Sequence, residues 1–124
     1  MRSNAYFAMR WTVEFHDELA GEFAGLSHAV QDEFLAQVIR LREFGPTLGR
    51  PTVDTLKGSR MANLKELRFM ADGGVWRVAF AFDRNRIAVL LAAGDKRGKD
   101  QARFYKALIA LAERRFTAWL SSAG

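Results

Sequence analysis

The chain has 124 residues, of which 49% are hydrophobic and 27% charged, with a net charge of +5 and no cysteine. This size and balance are typical of one soluble globular domain that buries its core without metal or disulfide staples. The lack of cysteine excludes a disulfide framework, thiol chemistry and cysteine-rich zinc sites. No apolar run approaches the roughly 18 residues that span a bilayer, and the first residues hold too short an apolar run for a signal peptide. We therefore expect a cytoplasmic protein without membrane contact.

Charge is unevenly placed along the single domain expected over residues 1–124. Residues 1–54 carry 5 Lys and Arg against 8 Asp and Glu, a net −3, whereas residues 55–124 carry 14 against 6, a net +8. A basic half beside an acidic half suggests that one face of the domain binds a polyanion. Charge alone slightly favours the alternative, in which the unevenly distributed charges only form a solvated surface. Met9 is an alternative start, which would leave residues 1–8 as a flexible extension.

The first part of the domain predicts a strand and two helices. In "RWTVEF" (residues 10–15) apolar side chains alternate with polar ones, as in a half-buried strand. "HDELAGEFAGL" (residues 16–26) predicts a short helix with Asp17 as N-cap, and Ser27 is the candidate cap of a longer helix. The longer helix repeats apolar residues at helical spacing: Val30, Phe34, Leu35, Val38, Ile39 and Leu41. Gly45 and Pro46 end it, and residues 45–60 are predicted to form a loop.

Three strands and a helix are predicted in the remainder. The strands are "NLKELRF" (63–69), "VWRVAFAF" (75–82) and "IAVLLAA" (87–93), joined by the short polar turns "ADGG" and "DRNR". Short turns make these strands an antiparallel meander. A helix follows over about residues 99–120. The order is β-α-α-β-β-β-α, an α+β domain in which the meander packs on helices.

The two faces of this meander differ in character. Large apolar side chains share one face and should pack on the helices: Leu67, Phe69, Trp76, Val78, Phe80 and Phe82. Glu66, Arg68 and Arg77 share the other face with alanines, which predicts a shallow cationic platform suited to RNA. The structural alternative is that both arginines pair with Glu66 across the strands, which contributes only about 0.2–1 kcal/mol. Pairing and RNA contact are compatible.

Several stretches together resemble the phage Gp49-like branch of the HigB/RelE toxin superfamily. These are "LKGSRMANLKELRF", "VWRVAFAFDRNRIAVLLAAGDKRGK" and "RFYKALIALAERRF", which occur in the family's order over roughly residues 9–120. Each motif is weakly specific by itself, and the ordered set is fairly specific. The resemblance implies the RelE-like microbial ribonuclease fold. It also implies the toxin of a type II toxin–antitoxin pair, which cleaves messenger RNA on the ribosome without metal or cofactor. The implied partners are the ribosome, its messenger RNA and a cognate antitoxin, a helix-turn-helix protein of the HigA kind.

Metal-free cleavage of RNA sets its own chemical requirements. The ribose 2′-hydroxyl attacks the adjacent phosphate, so a group must accept its proton, cations must stabilise the charge on phosphorus, and a donor must protonate the leaving 5′-oxygen. The resemblance matches Arg77 to the family's central arginine, the best candidate for phosphate stabilisation, and Arg68 to a second sheet arginine. It matches Lys96 and Arg97 to the basic cluster after the last strand. Arg68, Arg77, Lys96 and Tyr105 are the catalytic candidates. Tyr105 is a looser match, suited to base stacking or proton transfer. Further RNA-binding candidates are Lys57, Lys65, Glu66, Arg97 and Lys99.

Other site types fit the sequence poorly. "GDKRGKD" (residues 94–100) has one spacer too few for a phosphate loop and lacks the Ser or Thr that binds magnesium. The acidic residues at positions 14, 17, 18 and 22 lack partner ligands at metal spacing, so no metal site is expected. His16 and His28 lie outside the motifs. A non-catalytic RNA- or protein-binding module on the same scaffold is the alternative function, since no histidine is available as a base. The codon preference, the general base and the oligomeric state stay open.

Overall fold

A computed structural model describes residues 11–123, so the expected extension of residues 1–8 lies outside the described part. Within it, five strands and three α-helices follow one another in the order β1, α1, α2, β2, β3, β4, β5, α3. Their bounds are β1 Thr12–Phe15, α1 Asp17–Ala24, α2 His28–Phe44, β2 Val53–Thr55, β3 Lys65–Ala71, β4 Gly74–Phe82, β5 Ile87–Asp95 and α3 Gln101–Ala123. A short 3-10 turn, Gly45–Thr47, follows α2. No helix in residues 11–123 is long and apolar enough to cross a membrane.

The five strands form one mixed sheet in the order β1-β5-β4-β3-β2. The predicted antiparallel meander is confirmed as β3, β4 and β5, with Arg68 directly opposite Arg77. β1 adds to the far edge of β5 in parallel orientation. The prediction of an unbroken loop over residues 45–60 is wrong, because β2 lies within it and pairs with β3. Three residues are too few to show a period of two, so no alternation of side chains indicates β2.

Helices cover both faces of the sheet, whereas the sequence predicted one open face. The large side chains of β3 and β4 pack as predicted against α1 and α2, around Leu19, Phe34 and Leu41. The alanine-rich face is not a shallow platform, because α3 packs on it. Small side chains make this approach possible: Ala79, Ala81, Ala92 and, on the helix, Ala112 are all completely buried. Only the part of the face beyond the start of α3 remains open.

A β-bulge in β5 interrupts the predicted alternation. Opposite β4 the register steps from Ala79–Ala92 to Phe80–Leu90, which leaves Leu91 as the extra residue. Leu91 and Ala92 therefore both lie in the core beneath α3, although simple alternation predicted opposite faces. Beyond the bulge, a Cβ on Gly94 would stand 2.9 Å from the ring of Phe104, so glycine lets α3 begin close to the strand.

Helix ends agree with the sequence except at α1. Ser27 accepts a hydrogen bond from the Val30 amide at 3.3 Å and caps α2, as predicted. Gly45 ends α2 at φ +53°, which a glycine adopts without strain. The cap of α1 is His16 rather than Asp17, since the His16 Nδ1 accepts from the Glu18 amide at 3.1 Å. Two of the apolar residues at helical spacing in α2 are exposed rather than packed: Leu35 and Ile39.

A buried ion pair fixes the far half of α3. Arg115 is only 3% exposed and donates to the Leu91 carbonyl at 2.8 Å. Its other bonds reach Glu22 of α1, at 3.1 Å and 2.6 Å to the two carboxylate oxygens. The bond to Arg115 lowers the pKa of the Glu22 carboxyl below its usual value. Because α3 is held here to both β5 and α1, the orientation of its first turns over the sheet is also restricted.

Candidate functional site

An open cavity of about 640 Å³ lies where α3 begins, between its first turns and strands β2 and β3. We call it the cleft. The residues that line it are Asp54, Thr55, Lys57, Glu66, Arg68, Asp100, Gln101, Ala102 and Tyr105. It exists because α3 starts only at Gln101 and covers the sheet from there onwards, so the polar end of the alanine-rich face stays accessible.

Glu66 is the centre of the cleft wall. Its side chain is only 7% exposed, although a carboxylate is rarely buried without partners. Its Oε1 accepts from the Tyr105 hydroxyl at 2.8 Å, and its Oε2 accepts from Arg68 Nη2 at 3.2 Å. The bond to Glu66 raises the pKa of the Arg68 guanidinium above its usual value. Each carboxylate oxygen therefore has a donor, which satisfies the buried charge.

Arg77 lies behind Tyr105 rather than in the lining of the cleft. Its Nε donates to the Tyr105 hydroxyl at 2.5 Å, and its Nη1 donates to the Val75 carbonyl at 3.1 Å. The side chain is 11% exposed, and its Nε stands 3.9 Å from Glu66 Oε1. The Tyr105 oxygen thus accepts from a cation and donates to an anion. Its position between the two is fixed.

The environment of Tyr105 keeps its phenol protonated. Burial is the main cause that raises the pKa of the Tyr105 hydroxyl, and the hydrogen bond to the Glu66 carboxylate raises it further. The nearby Arg77 charge acts in the opposite direction and is outweighed. At neutral pH the hydroxyl therefore carries a proton that already points at a carboxylate oxygen.

Lys57 reaches the cleft from a loop that α3 holds in place. Ser59 Oγ and the Arg60 amide both donate to Glu113 Oε2 at 2.8 Å. These bonds, that from Ser59 first, lower the pKa of the Glu113 carboxyl. The sequence predicted Lys57 but missed its anchor, because Glu113 lies more than 50 positions further along the chain. A lone acidic residue on a helix gives no signal for such a contact.

The cations of the turn after β5 do not lie together on one wall of the cleft. Lys96 Nζ donates to Gln101 Oε1 at 3.1 Å, beside the cleft. Arg97 reaches across the β3–β4 hairpin, where it donates to the Asp72 carbonyl and pairs with Asp95, both at 2.7 Å. Lys99 lies over the ring of Phe104, next to a second cavity on the other flank of α3.

The structure therefore brings together only part of the predicted site. Five predicted residues gather at the cleft: Lys57, Glu66, Arg68, Arg77 and Tyr105. Lys65 alternates with Glu66 along β3 and so lies on the opposite face of the sheet, away from the cleft. Within residues 11–123 no three histidine or acidic side chains are grouped as metal ligands. His16 and His28 lie at the starts of α1 and α2, at a distance from the cleft.

Comparison with known proteins agrees with this fold. The family model described as phage derived protein Gp49-like (DUF891) matches residues 21–117. Two Mycobacterium tuberculosis proteins that carry the toxin names HigB2 and HigB3 are 41% and 47% identical over 90 and 78 residues, or 72% and 63% of this chain. The matched parts span 44% and 66% of those relatives.

A solved structure supports the same assignment at the level of fold. A free mutant of the E. coli toxin RelE superposes with a TM-score of 0.57 at 12% identity, covering 81% of this chain and 94% of that one. The RelE-like fold expected from the sequence motifs is thereby confirmed. The chain has this fold and belongs to the Gp49-like protein family.

Proposed function

We propose that this protein is the toxin of a type II toxin–antitoxin pair and arrests translation by cutting messenger RNA in the ribosome. The toxin names of two relatives above 40% identity support the first part. The observation that carries the second part is the hydrogen-bonded chain from Arg77 through Tyr105 to Glu66, in the wall of a cleft that also holds Arg68 and Lys57.

The proposed reaction is attack of the ribose 2′-hydroxyl on the adjacent phosphorus. The bond to the 5′-oxygen breaks and a 2′,3′-cyclic phosphate forms. The proton leaving the 2′-hydroxyl needs an acceptor, and no histidine lies at the cleft. Glu66 can accept it through Tyr105: the phenol takes the substrate proton on its oxygen while passing its own proton to Glu66 Oε1, 2.8 Å away. Tyr105 stays neutral throughout, which agrees with its raised pKa.

Arg68 and Lys57 are the proposed ligands of the scissile phosphate. Arg68 is the most accessible member of the network, with 41% of its side chain exposed, and it lines the cleft directly. Its planar donors suit a phosphate that gains charge in the transition state. Lys57 faces the same cavity from the loop held by Glu113 and is the proposed proton donor to the leaving 5′-oxygen.

Arg77 is proposed to position Tyr105 and to offset the charge of Glu66. Two of its donors are already engaged by Tyr105 and the Val75 carbonyl, and it does not line the cleft. The family resemblance made this arginine the candidate for phosphate stabilisation. Its observed bonds favour the indirect role.

The proposed partners are the ribosome, its messenger RNA and a cognate antitoxin. A small cleft on a single domain offers few groups to hold an RNA backbone in line for attack, so the ribosome is expected to present the strand. We propose a helix-turn-helix protein of the HigA kind as the antitoxin, which would be encoded beside this gene. The proposed place of action is the cytoplasm, where translating ribosomes are found.

The decisive experiment uses purified protein and ribosomes programmed with a defined messenger RNA, with naked RNA of the same sequence in parallel. We expect cleavage in the ribosome, weak cleavage of naked RNA, and 2′,3′-cyclic phosphate ends. The weak cleavage of unstructured naked RNA should continue unchanged in excess chelator; this substrate is used for that control because chelator disrupts ribosomes. Loss of cutting in chelator would argue for a metal site. Soluble protein that cuts neither RNA and allows normal growth when induced alone would favour a non-catalytic binding module.

A further inference from the structure

An exposed methionine continues the open face of the sheet beyond the cleft. Met70 of β3 has 73% of its surface exposed, more than any other large hydrophobic residue described in residues 11–123. It lies two residues after Arg68, so both side chains leave β3 on the same face, and their Cα atoms are about 7 Å apart at the usual rise of a strand. The phosphate ligand proposed above and an apolar side chain are therefore direct neighbours.

Val75 completes the apolar surface. It is the cross-strand partner of Met70, just as Arg77 is the partner of Arg68. Residues directly opposite in an antiparallel pair have neighbouring side chains, so Met70 and Val75 form one small apolar shelf next to the arginine pair. Val75 is itself partly exposed, and α3 begins too late to cover either residue.

The shelf is rigid although it is exposed. The β3–β4 hairpin closes in a tight turn with Asp72 at φ +53° and Gly73 at φ +77°, typical of a two-residue hairpin turn. Arg97 braces this turn from the neighbouring β5 end, through the Asp72 carbonyl and Asp95, both at 2.7 Å. A rigid surface loses little entropy when a ligand binds, so the shelf is prepared for contact.

We propose that the shelf of Met70 and Val75 holds the nucleobase next to the phosphate bound by Arg68. This proposal rests on the proposed function. An unpaired base presents a flat apolar face, which a polarisable thioether and a valine can cover while the neighbouring cation holds the backbone. The two side chains offer no hydrogen-bond donors or acceptors to a base edge. They hold a base without selecting strongly among the four bases, and any selection comes from other groups.

The test is a double-mutant cycle between Met70 and the base. The probes are trinucleotides with 2′-O-methyl groups, which cannot be cut, and copies from which one base at a time has been removed. Binding to the full-length protein is measured by calorimetry for wild type and Met70→Ala. We expect removal of one particular base to weaken wild-type binding about fivefold, at the lower end of the range for base stacking, and to have almost no effect on Met70→Ala. Met70→Leu should keep the wild-type pattern.

Leu120→Ala is the matched control, because Leu120 is an exposed apolar residue at the far end of α3. It should bind every probe as wild type does. The proposal is overturned if each base removal weakens wild type and Met70→Ala equally, or if no base removal weakens wild type. Cleavage in programmed ribosomes is measured on the same preparations. If wild type cleaves but the effect of base removal does not depend on Met70, only the proposed base-binding role of the shelf is rejected. If wild type does not cleave, the proposed function is rejected.

Discussion

Replacing Glu66 with glutamine tests the proposed proton path most directly. The amide has nearly the same shape, and its oxygen can still accept from the Tyr105 hydroxyl, now 2.8 Å from Oε1. It cannot take up a proton at neutral pH. Because a positioned acid or base contributes about 10²–10⁴ in rate, we expect single-turnover cleavage in programmed ribosomes to slow by at least about 100-fold.

The same substitution has a stability cost that the structure defines. The new amide NH₂ group would face Arg68 Nη2, now 3.2 Å from Oε2, so one charge-assisted bond is lost and two donors oppose each other. Arg68 is 41% exposed and can turn towards water, which limits the loss in unfolding free energy to about 1–2 kcal/mol. For a domain of this size that lowers Tm by about 4–8 °C. Thermal unfolding at pH 7 measures it.

Glu113→Gln is the matched control for Glu66→Gln. Glu113 is also a hydrogen-bonded carboxylate, but it anchors the loop of Ser59 and Arg60 and does not line the cleft. We expect its effect to appear as weaker RNA binding through a loosened Lys57 loop, with the chemical step in a saturated complex changed less than tenfold. A folded Glu66→Gln variant that cleaves within fivefold of wild type would refute the proton path through Glu66.

Three further changes test the network and its support. Tyr105→Phe should slow cleavage at least about 100-fold. Because burial and the bond to Glu66 raise the pKa of the Tyr105 hydroxyl above 10.0, alkaline titration of the wild type should show a phenol that ionises above that pH and is missing from the variant. Arg77→Ala should cost about 100-fold in single-turnover rate with little change in RNA affinity, since it positions Tyr105; a loss confined to affinity would contradict this. Arg115→Leu should lower Tm and remove part of the loss of stability in acid. The bond to Arg115 lowers the pKa of Glu22, so this carboxylate stabilises the fold at pH values above its unfolded pKa, and the contribution disappears as pH falls through the folded pKa. Urea unfolding between pH 3 and 7 measures the change in unfolding free energy.

The strands were predictable because their large side chains alternate without interruption. Leu67, Phe69, Val78 and Phe80 are each 5% exposed or less, and they lie on the face where the period of two places them. The interpretation of the opposite face was wrong for a physical reason. Alanines along a strand are compatible both with a shallow exposed face and with a face on which a helix packs closely. Only the position of α3 in the structure decides between the two.

Polar contacts between residues far apart in the sequence could not be predicted from residue spacing. Glu66 and Tyr105 were both predicted as site residues, but 39 positions separate them and no local pattern indicates that their oxygens meet. Arg115 was missed altogether, since a cation within a helix is usually solvated and this one is 3% exposed. The pair Glu18 and Glu22, one turn apart on α1, was the only signal that could have suggested a cationic partner.

The close packing of α3 on buried alanines predicts where mutations that abolish toxicity should arise. Ala79, Ala81 and Ala92 have no exposed surface, and an added methyl group at any of them must push the helix outwards. Since that helix carries Tyr105, a displacement of even about 1 Å would separate its hydroxyl from Glu66 and slow the reaction. If bacteria are selected for survival of the induced gene, resistance should therefore arise at these buried alanines as well as in the cleft. Such survivors would produce folded protein that still binds the proposed antitoxin.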